Sequence, residues 1–285
     1  MDRAYNALMS SSDFAVRRRA FRKLHESGCF VMPNPWDAGT ARYLSQLGFE
    51  ALATTSAGFA FSRGLPDAAW AVSRDSMLGN IAEIVDAVDL PVNADFESGY
   101  AHEPEGVAAN VRLCIETGVA GLSIEDNTGD PVKPLYEFSR AVDRIKAGRD
   151  AIDGSGSGVL LTARAECYLV GHPDPFRESI RRLQAYAEAG ADVLYAPGVH
   201  RPEEIKNIVA ELTPRPVNIL ISRNIGLTVA DLAELGVRRI SVGSSLARAA
   251  WSGFMRAAQS ISKHGSFSAF DDLVPFADIN NLFRE

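Results

Sequence analysis

The sequence has few cysteines and no long apolar run. Its three cysteines, Cys29, Cys114 and Cys167, are an odd number and form no CxxC pair. This usage argues against a disulfide framework and predicts a protein of the reducing cytoplasm. No apolar segment is long enough to span a bilayer, and residues 1–20 lack the apolar core of a signal peptide. We therefore expect neither secretion nor a membrane partner.

Positive charge is also scarce. Lysine and arginine total 29 against 36 aspartate and glutamate residues, which gives a formal net charge of -7. That balance disfavours nucleic acid and anionic membranes as partners. It is compatible with a small anionic substrate, because a local cationic pocket can oppose the global sign. The five histidines are spread along the chain, which disfavours the His-rich zinc site of a class II aldolase.

The chain contains a repeated unit in which a helical stretch ends in glycine and a short apolar strand follows. The unit appears as SQLGFEALAT, IETGVAGLSIE, AEAGADVLYA and AELGVRRISV, with glycines at 48, 118, 190 and 236. Glycine suits the left-handed position that ends a helix, and nearly continuous apolar strands are typical of buried parallel sheets. The pattern predicts eight strands, at 29–32, 50–54, 91–95, 120–124, 159–163, 192–195, 217–221 and 238–242.

Helical segments are predicted between these strands, for example at 104–117, 137–150, 174–189 and 202–212. Eight parallel strands that alternate with helices over about 250 residues indicate an α/β protein of the (β/α)8 TIM barrel type. A doubly wound open sheet is disfavoured, because no phosphate-binding fingerprint follows the first strand. We interpret residues 1–285 as a single barrel domain with an N-terminal helical extension at 1–25.

Two segments interrupt the alternation. The sequence DGSGSG at 153–158 precedes the fifth strand, and we predict a surface loop there. A C-terminal tail at 264–285 follows the last barrel helix, predicted at roughly 243–263, and is rich in Phe and Leu. A solvated tail would not be so apolar, so we expect it to dock on its own barrel or on a neighbouring subunit.

Acidic residues collect at the carboxyl ends of neighbouring strands, which is where a TIM barrel carries out its chemistry. The third, fourth and fifth strands end in the pairs Asp95 and Glu97, Glu125 and Asp126, and Arg164 and Glu166, and Asp67 lies in the loop after the second strand. Because side chains alternate along a strand, we expect Asp95 and Glu97 to point the same way.

Carboxylates at adjacent strand ends repel one another unless a positive charge lies between them. Mg²⁺ supplies that charge, prefers oxygen ligands and keeps several waters, so one or two direct carboxylates are enough. A single acid at a strand end is more often a helix cap or a partner of arginine, but acids at three adjacent ends beside Arg164 favour a metal site. Mn²⁺ is an alternative ion, whereas zinc is disfavoured because the cluster lacks His and Cys.

Four motifs together resemble the isocitrate lyase/phosphoenolpyruvate mutase superfamily: NPWDAGTARYLSQLGFEALATTSAGFAFSRGLPD, NADFESGY, GLSIEDN and TARAE. The likeness extends from about residue 20 to residue 263. It implies a (β/α)8 barrel whose last helix is swapped onto a partner subunit, usually in a dimer of dimers. It also implies Mg²⁺-dependent chemistry on small 2-oxo or 2-hydroxy carboxylates through an enolate-like intermediate.

The resemblance implies a role for each acid of the cluster. Asp95 corresponds to the acid that binds Mg²⁺ directly. Glu97 corresponds to the second acid of an Asp-x-Asp motif, with the longer Glu in place of Asp. Asp67 and Glu125 correspond to acids that hold the waters of the metal. These four residues are the metal-binding candidates.

The resemblance also implies a substrate site. Arg164 corresponds to an arginine that contacts the substrate, and Arg164 and Glu125 are the catalytic candidates. The turn of Thr55, Ser56 and Ala57 corresponds to a segment whose backbone N–H groups bind the substrate carboxylate, as is usual for an oxyanion. Asp95 and Arg164 complete the predicted substrate-binding set.

The loop after Asp126 departs from the lyases of this superfamily. They carry a Lys-Lys-Cys-Gly-His-type loop whose cysteine is the catalytic acid, whereas this chain has EDNTGDPVKPLYEF, without Cys or His. Pro197 stands where the tricarboxylate lyases place Glu. These differences argue against isocitrate or methylisocitrate cleavage, and we interpret Asn127–Asp130 as a turn.

The leading hypothesis is a Mg²⁺-dependent carbon–carbon lyase or decarboxylase that acts on a small 2-oxo or 2-hydroxy carboxylate. The alternative is C–P bond chemistry, as in a phosphonopyruvate hydrolase or mutase. A third hypothesis is a barrel that binds a 2-oxo acid without catalysis. The expected partners are the small carboxylate substrate and further copies of this chain.

Overall fold

The computed structural model describes residues 11–284. Eight strands lie within this range, and all of them were predicted from the sequence. Their bounds are Phe30–Met32 (β1), Leu52–Ala53 (β2), Val92–Asp95 (β3), Gly121–Glu125 (β4), Leu160–Arg164 (β5), Val193–Tyr195 (β6), Val217–Leu220 (β7) and Arg239–Ser241 (β8).

The strands form one parallel sheet in the order β1-β8-β7-β6-β5-β4-β3-β2, so the strands from β2 to β8 pair with their neighbours in sequence and β1 pairs with β8. At the remaining seam, between β1 and β2, Ala53 N donates to Pro33 O at 3.0 Å. The sheet is therefore a nearly closed barrel, and the predicted (β/α)8 TIM barrel is confirmed.

Eleven α-helices accompany these strands within residues 11–284. They are Ser11–Leu24 (α1), Ala38–Gln46 (α2), Ser56–Ser62 (α3), Arg74–Asp86 (α4), Pro104–Glu116 (α5), Phe138–Ser155 (α6), Pro175–Glu188 (α7), Pro202–Leu212 (α8), Val229–Glu234 (α9), Ser245–His264 (α10) and Phe276–Leu282 (α11). Short 3-10 helices lie at Glu166–Tyr168 and Ser268–Phe270. None of the helices in the described range combines the length and apolarity needed to cross a bilayer.

The glycines that end the repeated units take the left-handed conformation that the sequence predicts, and Gly118, for example, has φ 87°. A Cβ at Gly118 would lie 2.4 Å from the Phe14 ring, so close packing of α1 also requires glycine there. The predicted loop at 153–158 is wrong in part: α6 continues through Ser155 and ends at Gly156, which has φ 62°. The helix tolerates Gly154 because its end is fixed by the next left-handed residue.

The amino-terminal end of the barrel is closed by α1. Phe21 is fully buried against the apolar residues at the bottom of the barrel. Arg18 fixes α1 to the helix–strand junction behind it, because its Nε donates to Val119 O at 2.9 Å. Part of the predicted N-terminal extension is thus a docked helix, while residues 1–10 of that extension lie outside the described range.

The last barrel helix, α10, and the C-terminal tail leave large apolar side chains exposed. Phe254 in α10 is 63% exposed, and Phe276 in α11 is 85% exposed. The far end of the tail returns to its own barrel, since Gln46 Nε2 donates to Leu282 O at 2.7 Å. The tail therefore touches α2 of the same chain but leaves most of its apolar surface without cover from the described residues.

Candidate active site at the carboxyl ends of the strands

A cavity of about 650 Å³ opens at the carboxyl ends of the strands. It extends from the 127–135 loop at the mouth to Arg239 inside the barrel. All eight site residues predicted from the sequence line it: Thr55, Ser56, Ala57, Asp67, Asp95, Glu97, Glu125 and Arg164. Residues that lie up to about 110 positions apart in sequence thus meet around one space, because parallel strands bring their ends to the same edge.

Arg164 lies at the centre of the acidic residues. Its NH1 is 2.9 Å from Asp95 Oδ1, and its NH2 is 3.2 Å from Glu125 Oε2. The same NH2 is 2.8 Å from Glu166 Oε1, and Nε donates to that oxygen at 3.0 Å. The positive charge that the carboxylate cluster requires is therefore supplied in part by the protein itself.

The electrostatics of the cluster follow from burial and from these contacts. Burial raises the pKa of Glu125 well above its usual value and raises the pKa of Glu166, and in both cases Arg164 opposes the shift. Burial alone would lower the pKa of Arg164, but the attraction of Glu166, Glu125 and Asp95 outweighs it and holds that pKa well above the ordinary range. Arg164 is therefore a permanent cation within the site.

Asp95 connects this cluster to the turn at the start of α3. Its Oδ2 accepts hydrogen bonds from Ser56 N at 3.0 Å and from Ser56 Oγ at 2.8 Å. The backbone N of Asp95 donates to Thr54 Oγ1 at 2.9 Å, and Thr55 Oγ1 accepts from Gly58 N at 3.2 Å. The predicted substrate turn and the predicted metal ligand are thus in direct contact.

Glu97 lines the same cavity, but the strand alternation invoked for it does not apply. The strand β3 ends at Asp95, and the backbone at Glu97 has φ 45°. Its carboxylate accepts hydrogen bonds from Trp70 N at 3.0 Å and from Tyr100 Oη at 2.7 Å. Trp70 and Tyr100 also have positive φ, 58° and 53°. Glu97 therefore joins two strained loop segments at the rim of the cavity.

Asp67 lies at the outer part of the cavity, in the segment after α3. Burial, followed by the nearby charge of Asp95, raises the pKa of the Asp67 carboxyl. Burial also raises the pKa of Glu97, against the hydrogen bond from Trp70. Both carboxyls would be better stabilised as anions with a cation nearby, as expected for groups that hold a metal or its waters.

Asp126 follows Glu125 but turns away from the cavity. It is buried, and its Oδ2 accepts from Tyr186 Oη at 2.6 Å and pairs with Arg182 NH1 at 3.2 Å. Its Oδ1 accepts from Glu166 N at 2.8 Å. Asp126 therefore fixes the ends of β4 and β5 rather than facing the substrate space.

The 127–135 loop contains the segment Asn127–Asp130 that was interpreted as a turn, and the chain bends there at Gly129, whose N donates to Asn127 Oδ1 at 2.8 Å. An antiparallel bridge joins Asn127 to Leu135, and Thr128 N donates to Pro134 O at 2.9 Å. At its tip, Gly129 has φ 78° and packs against Ala69, since a Cβ on Gly129 would lie 2.5 Å from the Ala69 Cβ. The loop thus covers the cavity in contact with the segment that carries Asp67.

The sequence did not single out several residues that line the cavity, among them Tyr195 and Arg239, and it placed Glu166 at a strand end without a role. Arg239 is 1% exposed; its Nε donates to Asn218 Oδ1 at 2.8 Å and its NH2 to Thr162 Oγ1 at 3.0 Å. Burial lowers its pKa to about 9. A charged residue inside the strand of GVRRISV is the signal that could have revealed it, because an interior barrel position normally holds an aliphatic side chain.

The cysteines do not take part in the site. Cys114 and Cys167 are buried and free, and burial raises the pKa of the Cys167 thiol to about 12. Burial also raises the pKa of Cys29. Thiols with raised pKa values are poor nucleophiles and acids at neutral pH, which supports their interpretation as packing residues.

The donor set at the mouth fits a hard divalent cation. The candidate ligands Asp95, Glu97, Glu125 and Asp67 offer oxygen atoms alone, which suits Mg²⁺ or Mn²⁺. In the part of the chain that the structure describes, no three His, Cys, Asp or Glu side chains are placed to hold one ion together. An ion that keeps several waters and touches one or two carboxylates matches such spacing.

Comparison with known proteins identifies the family of this chain. The model of the phosphoenolpyruvate phosphomutase family matches residues 21–262. The chain belongs to this family. The match covers β1 through most of α10, and so it includes every strand of the barrel and every residue predicted for the site.

Two known proteins resemble this chain over most of its length. A solved structure from Burkholderia cenocepacia J2315, provisionally named a lyase/mutase, is 47% identical with a TM-score of 0.91, over 96% of this chain and 98% of that chain. Oxaloacetate decarboxylase of Pseudomonas putida is 32% identical over 243 residues, 79% of this chain and 78% of its own.

A third comparison connects the family to its superfamily. The structure of 2,3-dimethylmalate lyase, a member of the PEP mutase/isocitrate lyase superfamily, is 25% identical with a TM-score of 0.82, over 96% of this chain and 95% of that chain. The predicted superfamily is therefore confirmed. Its members include lyases and mutases named for small carboxylates.

Proposed function

We propose that this protein is a Mg²⁺-dependent carbon–carbon lyase or decarboxylase that acts on a small 2-oxo or 2-hydroxy carboxylate. The observation that carries the proposal is the convergence of Asp95, Glu125 and Arg164 with the Thr55–Ala57 turn around one cavity. Relatives named for oxaloacetate and for 2,3-dimethylmalate support this class of substrate.

The cation site is proposed at the acidic side of the cavity. Asp95 would hold Mg²⁺ or Mn²⁺ directly, and Asp67, Glu97 and Glu125 would hold its waters. When bound, the ion would supply Lewis-acid polarisation of the substrate and a countercharge for the electrons released by bond cleavage. The oxygen-only donor set and the raised pKa values of Asp67 and Glu97 support this assignment.

Two parts of the protein are proposed to act on the substrate: the Thr55–Ala57 turn, and the pair formed by Arg164 and Glu125. The backbone N–H groups of Thr55, Ser56 and Ala57 would bind the substrate carboxylate, and Ser56 N would exchange its hydrogen bond with Asp95 Oδ2 for the substrate. Arg164 would orient the substrate oxygen next to the reacting carbon, since it remains charged throughout. Glu125 lies within 3.2 Å of the Arg164 guanidinium and would serve as the proton-handling carboxyl of the site.

The proposal is tested by assaying the purified protein with Mg²⁺ on a panel of 2-oxo diacids, 4-hydroxy-2-oxo acids and 2-alkylmalates. Release of a 2-oxo or carbonyl product that stops with EDTA and returns with Mg²⁺ is the expected result. If no compound is turned over, or if turnover ignores EDTA, the lyase proposal is wrong. Ligand-dependent thermal stabilisation without turnover would instead support the non-catalytic binding barrel.

The second candidate is C–P bond chemistry on phosphonopyruvate, which the description of the matching family favours. It would use the same cation site and the same carboxylate-binding turn. Release of inorganic phosphate from phosphonopyruvate, or its conversion to phosphoenolpyruvate, would decide for this candidate. The two reactions are distinguished by assaying phosphate and pyruvate separately in one sample.

We also propose that the protein forms a homo-oligomer, a dimer of dimers in which the C-terminal tail docks on or exchanges with a neighbouring subunit. The exposed apolar side chains of Phe254 and Phe276 support this arrangement. Trp251 and Met255, on the same helix as Phe254, line a groove between α10 and the end of α3, which adds to the apolar surface available to a second copy.

A further inference from the structure

The charges that face the cavity are strongly unequal. Six carboxyl side chains of the described residues line it: Asp67, Asp95, Glu97, Glu125, Asp130 and Glu166. Two guanidinium groups, of Arg164 and Arg239, are the cationic side chains among the described lining residues. A substrate with several negative charges must therefore find its countercharge in a bound cation and in these two arginines.

The positive charge of Arg164 is already compensated by carboxylates of the protein, so this residue attracts a second anionic group of the substrate only weakly. Its three nitrogens already contact Asp95, Glu125 and Glu166 at 2.8–3.2 Å. The charges of three carboxylates thus surround one guanidinium. A substrate carboxylate that approached Arg164 would have to replace one of these partners and would meet the repulsion of the other two.

Arg239 is cationic but lies deeper in the barrel. Its guanidinium donates to Thr162, which precedes Arg164 by two residues on β5 and so lies one layer further inside. The Nε of Arg239 donates to Asn218 Oδ1, and its NH1 lies 3.4 Å from His25 Nε2. Because its donors are engaged by neutral groups below the mouth, Arg239 is not available to the far end of a small substrate held at the rim.

The side of the mouth opposite the Thr55–Ala57 turn offers no cation without acidic partners among the described residues that line the cavity, because Arg164, at the end of β5, already pairs with three carboxylates. In the eight-stranded barrel, β6 lies across from β2, which leads into that turn. Beside Arg164 and Glu166, the wall around the ends of β5, β6 and β7 consists of the uncharged residues Leu169, Val170, Tyr195 and Leu220. Pro131 and Pro134 of the 127–135 loop extend this uncharged wall, and the charged lining residue of the same loop, Asp130, is acidic and would repel a second anionic group.

We infer that the substrate is a monocarboxylate whose far end is uncharged, and that the reaction is the retro-aldol cleavage of a 4-hydroxy-2-oxo acid to pyruvate and a neutral aldehyde or ketone. The inference rests on the proposed lyase function and narrows it. One carboxylate would be held at the turn and the cation, while an alkyl group would contact the uncharged wall. A second carboxylate or a phosphono group would face the wall unpaired, at a cost in binding free energy.

The cleavage balances without a further reactant. The 4-hydroxyl proton passes to a base, the C3–C4 bond breaks, and C4 becomes the carbonyl carbon of the released aldehyde or ketone. The electron pair of that bond enters the enolate of pyruvate. The enolate carbon then takes up one proton, so the number of protons on substrate and products is unchanged and no oxidant is needed.

The direct test compares two substrates that differ in one group. 4-Hydroxy-2-oxopentanoate carries a methyl group where 4-hydroxy-2-oxoglutarate carries a carboxylate, and both release pyruvate, which lactate dehydrogenase reports. With Mg²⁺, we expect kcat/KM to be at least about tenfold higher for the pentanoate, the effect of one misplaced interaction of roughly 1.4 kcal/mol. Equal or higher kcat/KM for the dianion would overturn the inference while leaving the lyase proposal standing.

A binding experiment covers the case in which neither compound is cleaved. The stable pair 2-oxopentanoate and 2-oxoglutarate again exchanges methyl for carboxylate, and calorimetry with Mg²⁺ measures both Kd values. Tighter binding of 2-oxopentanoate supports the inference, and tighter binding of 2-oxoglutarate contradicts it. If neither compound binds and no compound of the wider panel is turned over, the proposed function itself is wrong.

A gain-of-charge variant tests the uncharged wall itself. Leu169→Lys would place an ammonium group on the wall, and we expect it to reduce or reverse the preference for the monocarboxylate in each pair. Leu169→Met, the matched control, keeps the wall uncharged and should keep the preference. If the Lys and Met variants discriminate equally, Leu169 does not face the far end of the substrate and the inference fails.

Discussion

Three carboxylates surround the Arg164 guanidinium, and one of them, Asp95, is also bonded to Ser56. This arrangement explains how acids from adjacent strands can lie close together before any ion binds. It also means that Asp95 has two partners within the protein that compete with a metal. Cation binding at Asp95 should therefore be coupled to the positions of Ser56 and Arg164.

Asp95→Asn tests the direct ligand. The amide keeps the shape of the side chain but removes its charge, so we expect Mg²⁺ affinity to fall and kcat/KM to drop by about a hundredfold or more, roughly 3 kcal/mol of transition-state stabilisation. Asp130→Asn is the matched control, since Asp130 also lines the cavity but is not a proposed ligand. Calorimetric Mg²⁺ titration of both variants provides the measurement, and equal losses would argue against a special role for Asp95.

His25 makes the folded state sensitive to acid. Its Nδ1 lies 2.8 Å from Phe21 O, and its Nε2 faces Arg239, so burial and then Arg239 lower its pKa to about 3. Below about pH 6.5 the unfolded chain binds a proton that the folded ring excludes, so this residue lowers the free energy of unfolding as pH falls towards 3, by up to about 1.4 kcal/mol per unit.

We expect His25→Gln to reduce this pH dependence, because the amide can accept from Arg239 but does not titrate. Urea unfolding of both proteins at pH 7 and pH 5 measures the difference. A wild-type stability that falls no more steeply than that of the variant would show that His25 does not contribute. Carboxylates that titrate in the same range affect both proteins alike and cancel in the comparison.

For the site, the sequence predicted which residues come together but not the local geometry of each of them. The positions of Asp95, Glu125 and Arg164 followed from strand ends and from the resemblance, and the structure brings them together. The geometry of Glu97 did not follow, because a positive φ at a non-glycine residue has no clear sequence signal. The burial of Asp126 against Arg182 did not follow either, because it depends on a helix more than 50 residues away.

At the scale of elements, the strands and most of the stated helix boundaries were predictable, and the end of α6 was not. Apolar runs, four of them directly after the glycines of the repeated unit, located all eight strands within about two residues. The predicted end of α6 was wrong because Gly154 and Ser155 remain helical until Gly156. Glycine and serine weaken a helix by less than packing against neighbouring elements stabilises it, and that packing is not visible in a local pattern.

The contact between β4 and α7 is expected to carry much of the local stability. Arg182→Ala would leave Asp126 buried without its cation, at a cost of about 3–5 kcal/mol in the free energy of unfolding. Tyr186→Phe removes one hydrogen bond to the same carboxylate and should cost about 1–3 kcal/mol. Urea denaturation measures both values, and an Arg182 variant no less stable than the Tyr186 variant would contradict the ordering.

The 127–135 loop depends on close packing at its tip. Gly129→Ala would meet the Ala69 Cβ and would also hold alanine at φ 78°, which costs about 1–2 kcal/mol. We expect faster hydrogen exchange in the loop and lower kcat/KM. Adding Ala69→Gly removes the steric part and should restore activity partially.

Gly154→Ala is the control for this loop. Nothing lies within 4 Å of a Cβ at that position, so the variant should leave exchange at 127–135 unchanged. Should Gly129→Ala exchange at the wild-type rate and retain full kcat/KM, the loop would not depend on its contact with Ala69.

At the scale of the whole molecule, the exposed apolar side chains of α10 and of the C-terminal tail predict assembly into oligomers. We expect the protein to be oligomeric by light scattering and Phe254→Glu to shift it towards smaller species, because the side chain is exposed on α10. Val229→Glu alters an exposed apolar residue on α9 and should leave the mass unchanged. A wild-type monomer, or an equal shift in both variants, would contradict the assignment of α10 to an interface.

The anchoring of the 127–135 loop has a consequence for how this protein changes over evolutionary time. Its two ends are fixed by backbone bonds, Thr128 N to Pro134 O and Tyr136 N to Asp126 O. Asp126 is in turn held by Arg182 and Tyr186. Substitutions between the anchors can therefore exchange the groups that meet the substrate without disturbing the barrel. The residues of the loop can therefore vary independently of the barrel. Under the proposed function, new substrate preferences would arise in this loop while the acidic cluster beneath it stays constant.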